Sequence, residues 1–167
     1  TGADLHLLLA RTELTHNQAE AAHCFAMKVG NWSDFVNTSS RSFGIPFVFR
    51  HRSIISLRKR DPPAFAQINA QARRSAMGSL RLAAAQQAFH ERCITPLNAP
   101  HVYLKGPCLA ARFYGDVGLR PGRDIDILVS ERAFEQVLRT AMAAGYAPIL
   151  DQRTGTRVRD DRDLRAL

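Results

Sequence analysis

Cysteine is scarce and long apolar runs are missing from this chain of 167 residues. Its three cysteines, Cys24, Cys93 and Cys108, lie far apart and form no CxxC pair, which argues against a disulfide framework and a zinc site. No apolar stretch approaches membrane-spanning length, and no signal-peptide pattern opens the chain. We therefore predict a cytoplasmic protein that has no contact with membranes. The first residue is Thr1 rather than Met, which fits a trimmed product or a fragment.

Acidic residues are also few, with 15 Asp and Glu against 23 Lys and Arg, for a formal net charge of +8. Such a surface attracts phosphates, nucleic acids and other polyanions, although the charge does not choose among them. A hydrophobic content of 46% with 23% charged residues is typical of a folded soluble protein. The length suits one compact domain, or a small domain with a helical extension.

The first half of the sequence predicts helices. One covers 3–14, a second begins after a capping Thr15 and ends at Gly30, and a third follows a cap at Asn31 or Ser33. The run IPFVFRHRSIISLRKR over 45–60 suits a strand or a buried helix equally well. Its basic residues form either a solvated face or a nucleic-acid site, and they are Arg50, His51, Arg52, Arg58, Lys59 and Arg60.

A long amphipathic helix is predicted from Asp61 onward. Asp61 is a capping residue, and Pro62 and Pro63 suit the first turn, where a missing N–H costs nothing. Apolar residues then recur at three- and four-residue spacing toward Cys93. Pro96 and Pro100 mark the end of this helix.

After Pro100 the pattern alternates between short strands and helices. HVYLK, DIDILVS and YAPIL predict strands, while PCLAARFYG and ERAFEQVLRTAMAAG predict helices, the second stopped by Gly145. The order indicates a helical N-terminal region over 1–97, a small α/β core over 98–150, and a charged tail over 151–167 without regular structure.

Asp124 and Asp126 form an acid pair in the predicted strand DIDILVS. Side chains alternate along a strand, so both carboxylates would point to one face, with Ile125 and Ile127 on the other. Mg²⁺ prefers carboxylate oxygens, with waters and substrate phosphates completing its shell. A solvated strand face would also explain the pair, but aspartate is a poor strand former in so apolar a run. We therefore predict a metal site at Asp124 and Asp126.

Lys105 and Gly106 stand between the first predicted strand and the helix that follows it. A glycine there lets backbone N–H groups approach an anion, and the helix N-terminus favours negative charge. Lys105 can place an ammonium group on a phosphate. The alternative is a turn glycine beside a surface lysine.

Arg120 and Arg123 flank Pro121-Gly122 immediately before the acid pair. Each arginine can neutralise an aspartate or bind a phosphate in a bidentate manner. Upstream, we expect Phe113 and Tyr114 to pack in the core or on a helix face rather than to stack on a base.

Taken together, LKG, AARFYGD, LRPGRDIDILV and a helix ending in AGY resemble the uncharacterised nucleotidyltransferase family of the polymerase-β-type superfamily. The resemblance covers about 101–147. It implies an α+β fold in which a helical N-terminal region packs on a small nucleotidyltransferase-type mixed sheet with flanking helices. It also implies Mg²⁺-dependent transfer of a nucleoside monophosphate from an NTP to a hydroxyl or phosphate acceptor. Gly106 would be the substrate-loop glycine, and Asp124 and Asp126 the metal-binding aspartates.

Two departures from the family pattern bear on catalysis. The loop reads Lys105-Gly106-Pro107 where the superfamily more often has Gly-Ser or Gly-Gly. A third carboxylate, which usually activates the acceptor, follows on no convincing strand, and the candidates are Asp151, Asp160, Asp161 and Asp163. A truncated chain or a lost activity would explain its absence. The alternatives are therefore an inactive nucleotide- or partner-binding module and, less favoured, a basic nucleic-acid-binding protein.

Overall fold

The computed structural model describes residues 2–41, 44–147, 149–151 and 156–157. The chain divides into two compact units. The first comprises Thr1–Ala83 and Tyr103–Asp126, and the second comprises Ala84–Val102 and Ile127–Leu167. The structure is mostly helical and includes a small antiparallel two-stranded sheet, which is consistent with the predicted α+β class.

The chain opens with three helices, α1 (Gly2–Leu9), α2 (His16–Met27) and α3 (Trp32–Arg41). Thr15 caps α2 as predicted, in a capping box where its hydroxyl accepts from the Gln18 amide and the Gln18 side chain accepts from the Thr15 amide. The helix ends at Met27, before the predicted stop at Gly30.

The ambiguous run after α3 folds as helix. It forms three short helices, α4 (Ile45–Phe49), α5 (Arg52–Ile55) and α6 (Leu57–Arg60). Upstream, Asn31 caps α3, with its side-chain oxygen accepting from the Asp34 amide at 3.2 Å. Tertiary burial decides the ambiguous run, because an apolar sequence of this length suits either structure until its partners are known.

The predicted long helix is α7 (Pro62–Phe89). Asp61 caps it, accepting a hydrogen bond from the Ala64 amide at 3.1 Å. A π-helical turn over His90–Ile94 and a 3-10 turn over Thr95–Leu97 follow. The start of this helix and its end before Pro96 are confirmed.

The second half follows the predicted order of strand, helix, strand, helix and strand. Helix α8 (Pro107–Tyr114) lies between β1 (His101–Tyr103) and β2 (Ile127–Val129), and α9 (Glu131–Ala143) precedes β3 (Ile149–Asp151). Strand β1 pairs with β2, and β3 pairs antiparallel with β4 (Thr156–Arg157). Asp151 and strand β4 belong to the predicted charged tail, so the prediction that this tail has no regular structure was wrong there, because pairing with β3 supplies backbone hydrogen bonds that the charged sequence does not indicate. Residues 152–155 and 158–167 of the tail lie outside the described residues.

Each unit has its own apolar core. In the first unit all of the first seven helices contribute buried side chains, namely Leu5, Leu9, Ala22, Ala26, Phe35, Val36, Ile45, Val48, Ile54, Leu57, Ile68 and Ala72. In the second unit, Ile127 and Val129 of β2 pack against Ile94 and Val137. Leu128 between them is 58% exposed, as strand alternation requires.

None of the described helices is both long enough and apolar enough to cross a membrane.

From the burial of two histidines in the first unit we expect its stability to depend on pH. Burial lowers the pKa of His6, whose Nδ1 lies 2.9 Å from the hydroxyl of buried Ser39, and burial also lowers the pKa of His51. When the pKa of a histidine is lower in the folded state, the unfolded chain binds the proton at a higher pH than the folded chain does. This stabilisation is complete above the unfolded pKa of about 6.5 and is lost as the pH falls below it.

We expect the free energy of unfolding to fall between pH 7.5 and pH 5.5, and His6→Gln to flatten that dependence. Urea denaturation at several pH values measures both slopes. His23→Gln is the matched control, since His23 is exposed on α2. An unchanged slope in His6→Gln would refute the assignment to His6.

Candidate functional site

Lys105 and Gly106 form a tight turn between β1 and α8. Gly106 is buried and has φ 75° and ψ −145°, a backbone conformation that side-chain-bearing residues rarely adopt. Pro107 occupies the first turn of α8, and the Ala110 amide donates to the Gly106 carbonyl at 3.1 Å. The predicted turn and helix start are confirmed, and glycine is needed here for its positive φ.

The start of α8 provides the chemistry of an anion site. N–H groups in the first turn of a helix have no carbonyl partner within the helix, and the helix dipole adds partial positive charge there. The Lys105 side chain is 60% exposed at this end of the helix. Because Pro107 has no N–H, only part of this first turn can donate to a phosphate group, and Lys105 adds an ammonium group beside it.

The acid pair stands before β2 rather than within a strand. Strand β2 begins at Ile127, and Asp124 lies in a bend. The predicted strand over DIDILVS is thus shortened, because aspartate is a poor strand former and the Pro121-Gly122 turn lies close upstream. Backbone pairing reaches Asp126, whose carbonyl accepts from the Leu104 amide at 3.0 Å.

Lys105 and Asp126 meet at the centre of this region. The Lys105 Nζ lies 3.2 Å from Oδ2 of Asp126. That oxygen is buried and accepts no well-directed hydrogen bond from the described residues, although the whole side chain is 31% exposed. A partly exposed ion pair of this kind stabilises a fold by only about 0–1 kcal/mol.

The buried oxygen of Asp126 tests whether the residues fit a cation. A buried carboxylate oxygen without hydrogen bonds is costly, and either a protonated partner or a metal ion offsets that cost. Lys105 supplies a compensating positive charge, and carboxylate oxygens are also ligands that a hard cation prefers. Asp126 thus has the donor chemistry of a magnesium ligand, and Asp124 is an exposed carboxylate two residues away.

Two glycines determine the path of the segment between α8 and the acid pair, one through a hydrogen bond and one through close packing. The Asp116 side chain accepts from the Gly118 amide at 2.8 Å and caps a 3-10 turn over Val117–Leu119. A Cβ built on Gly122 would lie 2.7 Å from Leu82 Cδ2 and 3.8 Å from the Gly106 Cα. The arginine-bearing loop is thus packed beside the Lys105-Gly106 turn.

The two arginines of this loop differ in their surroundings. Arg120 follows the 3-10 turn in extended backbone and is half-buried. Arg123 is exposed and lines a cleft together with Pro121. Both remain candidate phosphate ligands by position.

The aromatic residues at the end of α8 behave differently from each other. Tyr114 packs edge-to-face on Phe47, with ring centroids 5.2 Å apart, which confirms the prediction of a packing role. Phe113 is 66% exposed, so the same prediction was wrong for that residue. Helical geometry explains the difference, because adjacent residues point about 100° apart.

The tertiary structure brings together Lys105, Gly106, Gly122 and Asp126. Sequence reasoning missed the packing role of Gly122, although its PG dipeptide marked a turn. Among the described residues, no three His, Cys, Asp or Glu side chains form a group that could hold a metal ion. The candidates for a third acid at 160, 161 and 163 lie outside the described residues, as does the side chain of Asp151.

Comparison with known proteins identifies the family to which the chain belongs. The model of the uncharacterised nucleotidyltransferase family matches residues 29–164. The chain therefore belongs to this family, as its motifs predicted. No curated protein and no solved structure matches the chain.

Proposed function

We propose that this protein transfers a nucleoside monophosphate from an NTP to a hydroxyl or phosphate acceptor in a Mg²⁺-dependent reaction. The acceptor oxygen would form a bond to the α-phosphorus while the bond to pyrophosphate breaks. The observation that carries the proposal is the buried Oδ2 of Asp126, which forms an ion pair with Lys105 Nζ at 3.2 Å beside the glycine turn at the start of α8. Membership of a nucleotidyltransferase family supports the same reaction class.

The residues divide into two roles. Asp124 and Asp126 would hold the metal, which when bound would polarise the α-phosphorus and offset the charge of the leaving pyrophosphate. Lys105 and the N–H groups around Gly106 would hold the phosphates, with Arg120 or Arg123 assisting.

The wider architecture follows from this proposal. A nucleotidyltransferase-type mixed sheet over 98–150, preceded by a helical region over 1–97, would place the glycine turn and the acid pair at neighbouring strand ends. The hydrogen bond from the Leu104 amide to the Asp126 carbonyl supports that placement.

Isothermal titration of the protein with Mg-ATP and the three other Mg-NTPs tests the proposal. We expect binding by the unmodified chain and at least about tenfold weaker binding when Asp124→Asn and Asp126→Asn are combined, since a tenfold change corresponds to about 1.4 kcal/mol of lost metal contact. Asp116→Asn is the matched control, because asparagine also caps a turn and the charge change per site is the same. Equal binding by the double variant would contradict the proposal.

A second candidate is a catalytically silent nucleotide- or partner-binding module. It is favoured by the lack of a third carboxylate beside the acid pair among the described residues. The acceptor proton needs a base, and the sequence offers candidates for that role by charge alone, namely Asp151, Asp160, Asp161 and Asp163. Transfer of labelled AMP or UMP to any acceptor, lost in Asp126→Ala, would exclude this alternative.

A further inference from the structure

The positive charge of the chain is concentrated in one segment of the first unit, residues 35–83. This basic segment contains nine Arg and Lys residues against a single acid, Asp61, which gives it a formal net charge of +8. The remainder of the chain has 14 cationic and 14 acidic residues. The basic segment therefore accounts for the whole formal net charge of the protein, and it sets the sign of the electrostatic field around its helices.

Most cations of the basic segment have no counter-charge nearby. Seven are exposed and form neither an ion pair nor a side-chain hydrogen bond with any residue that the structure describes. They are Arg41, Arg50, Arg58, Lys59, Arg60, Arg73 and Arg81. Of the other two, Arg74 donates to Gln71, and the side chain of Arg52 lies outside the described part of the chain. The single acid, Asp61, caps α7. Exposed cations of this kind attract a polyanion.

Two of these arginines, Arg50 and Arg73, line one cleft of about 280 Å³ between α4, α7 and the 3-10 turn that follows α8. The remaining walls are mainly apolar and are formed by Pro46, Phe49, Ala72, Ala76, Leu80 and Leu119. One acid also lines the cleft, Asp116, whose Oδ1 accepts from the Gly118 amide and caps that turn. The cleft thus combines an apolar interior with two exposed guanidinium groups.

The cleft continues onto an exposed face of α7. Arg73, Met77, Leu80 and Arg81 follow one another at spacings that place them on the same side of a helix. Met77 and Leu80 are 52% and 51% exposed, and the two arginines beyond them are exposed as well. Exposed apolar surface rimmed by polar residues is typical of an interaction site.

We propose that this face, composed of the cleft and the exposed side of α7, binds a single strand of nucleic acid. Proteins that bind single strands combine a basic groove along the phosphates with side chains on which the bases pack. A base would enter the cleft and pack on Phe49 and Leu80. Its flanking phosphates would meet Arg50 and Arg73, with Arg81 further along α7.

The cleft also selects among polyanions. In a duplex the bases are stacked and paired, so only an unpaired strand can place a base inside the cleft. A lipid surface would meet the arginines but could not enter the cleft to reach Phe49, which is half-buried. The inference concerns binding alone, and it does not depend on the proposed transfer reaction.

Fluorescence anisotropy with labelled RNA and DNA strands of about 12 nucleotides, at several salt concentrations, tests the inference. We expect single strands to bind more tightly than a duplex of the same sequence, with an affinity that falls steeply as salt rises. Combining Arg50→Gln and Arg73→Gln should weaken binding about tenfold or more and reduce the salt dependence, because two phosphate contacts are lost. Leu80→Ala should weaken binding without changing the salt dependence, because it removes only apolar contact.

Arg11→Gln combined with Arg112→Gln is the matched control. Both residues are exposed in the first unit and lie outside the basic segment, so this variant loses the same charge elsewhere. It should bind single strands nearly as well as the unmodified protein. Because all four arginines are exposed, circular dichroism should show the same helical content in both double variants.

The possible outcomes lead to different conclusions. Binding of RNA, of DNA or of both supports the inference, since either strand offers bases and phosphates. Absence of binding at low salt, an equal loss in the two double variants, or tighter binding of the duplex would overturn it. So would a face that binds polyglutamate or phosphatidylserine vesicles through Arg50 and Arg73 but binds no strand. Failure to bind Mg-NTPs would contradict the proposed function and leave this surface assignment intact.

Discussion

Replacing Asp126 with alanine is expected to lower the rate of nucleotidyl transfer by about a thousandfold, which corresponds to roughly 4 kcal/mol of transition-state stabilisation. Its buried Oδ2 is the carboxylate oxygen that accepts no well-directed hydrogen bond from the described residues. Removing it would take away the proposed metal ligand and leave Lys105, 3.2 Å away, without its ion-pair partner. Pyrophosphate release from Mg-NTPs with a panel of hydroxyl and phosphate acceptors measures the rate.

Two further variants separate charge from packing at this position. Asp126→Asn keeps the shape of the side chain, so it should lose activity while retaining the thermal midpoint of the unmodified protein. Asp116→Asn changes an exposed capping acid of the same segment and should keep both. Activity that persists in Asp126→Ala would remove Asp126 from the metal site. Nucleotide binding without any turnover in the unmodified protein would favour the silent module.

Gly106→Ala should destabilise the first unit by about 1–3 kcal/mol and weaken nucleotide binding, because a Cβ is strained at φ 75° and ψ −145°. Relief of that strain would rotate the turn and displace the N–H groups that precede α8. Thermal denaturation measures the stability and Mg-ATP titration the nucleotide affinity. Because the turn is part of the proposed phosphate site, we expect stability and nucleotide affinity to fall together.

The same substitution at Gly78 is the control. Gly78 lies inside α7, has no heavy atom within 4 Å of a built Cβ, and is not among the glycines with positive φ. Alanine there should stabilise the helix by about 0.5–1 kcal/mol. If Gly106→Ala were as stable as Gly78→Ala, the strained geometry assigned to the turn would be wrong.

The sequence by itself determined the local elements. Capping residues and helical periodicity predicted α2 from Thr15 and α7 from Asp61, because these preferences depend on residues three or four positions apart. The order of strands and helices after Pro100 was confirmed for the same reason. The motifs also identified the family, since glycine, helix and acid pair lie close together in the chain.

Only the tertiary structure decided what burial and distant contacts control. It resolved the ambiguous run over 45–60 as three helices, and it moved the acid pair out of the predicted strand. It placed Lys105 against Asp126 and Gly122 against Gly106. It also brought Arg50 and Arg73 to one cleft, although 23 positions separate them. A local pattern cannot encode such contacts, because they depend on how helices and loops far apart in sequence pack together.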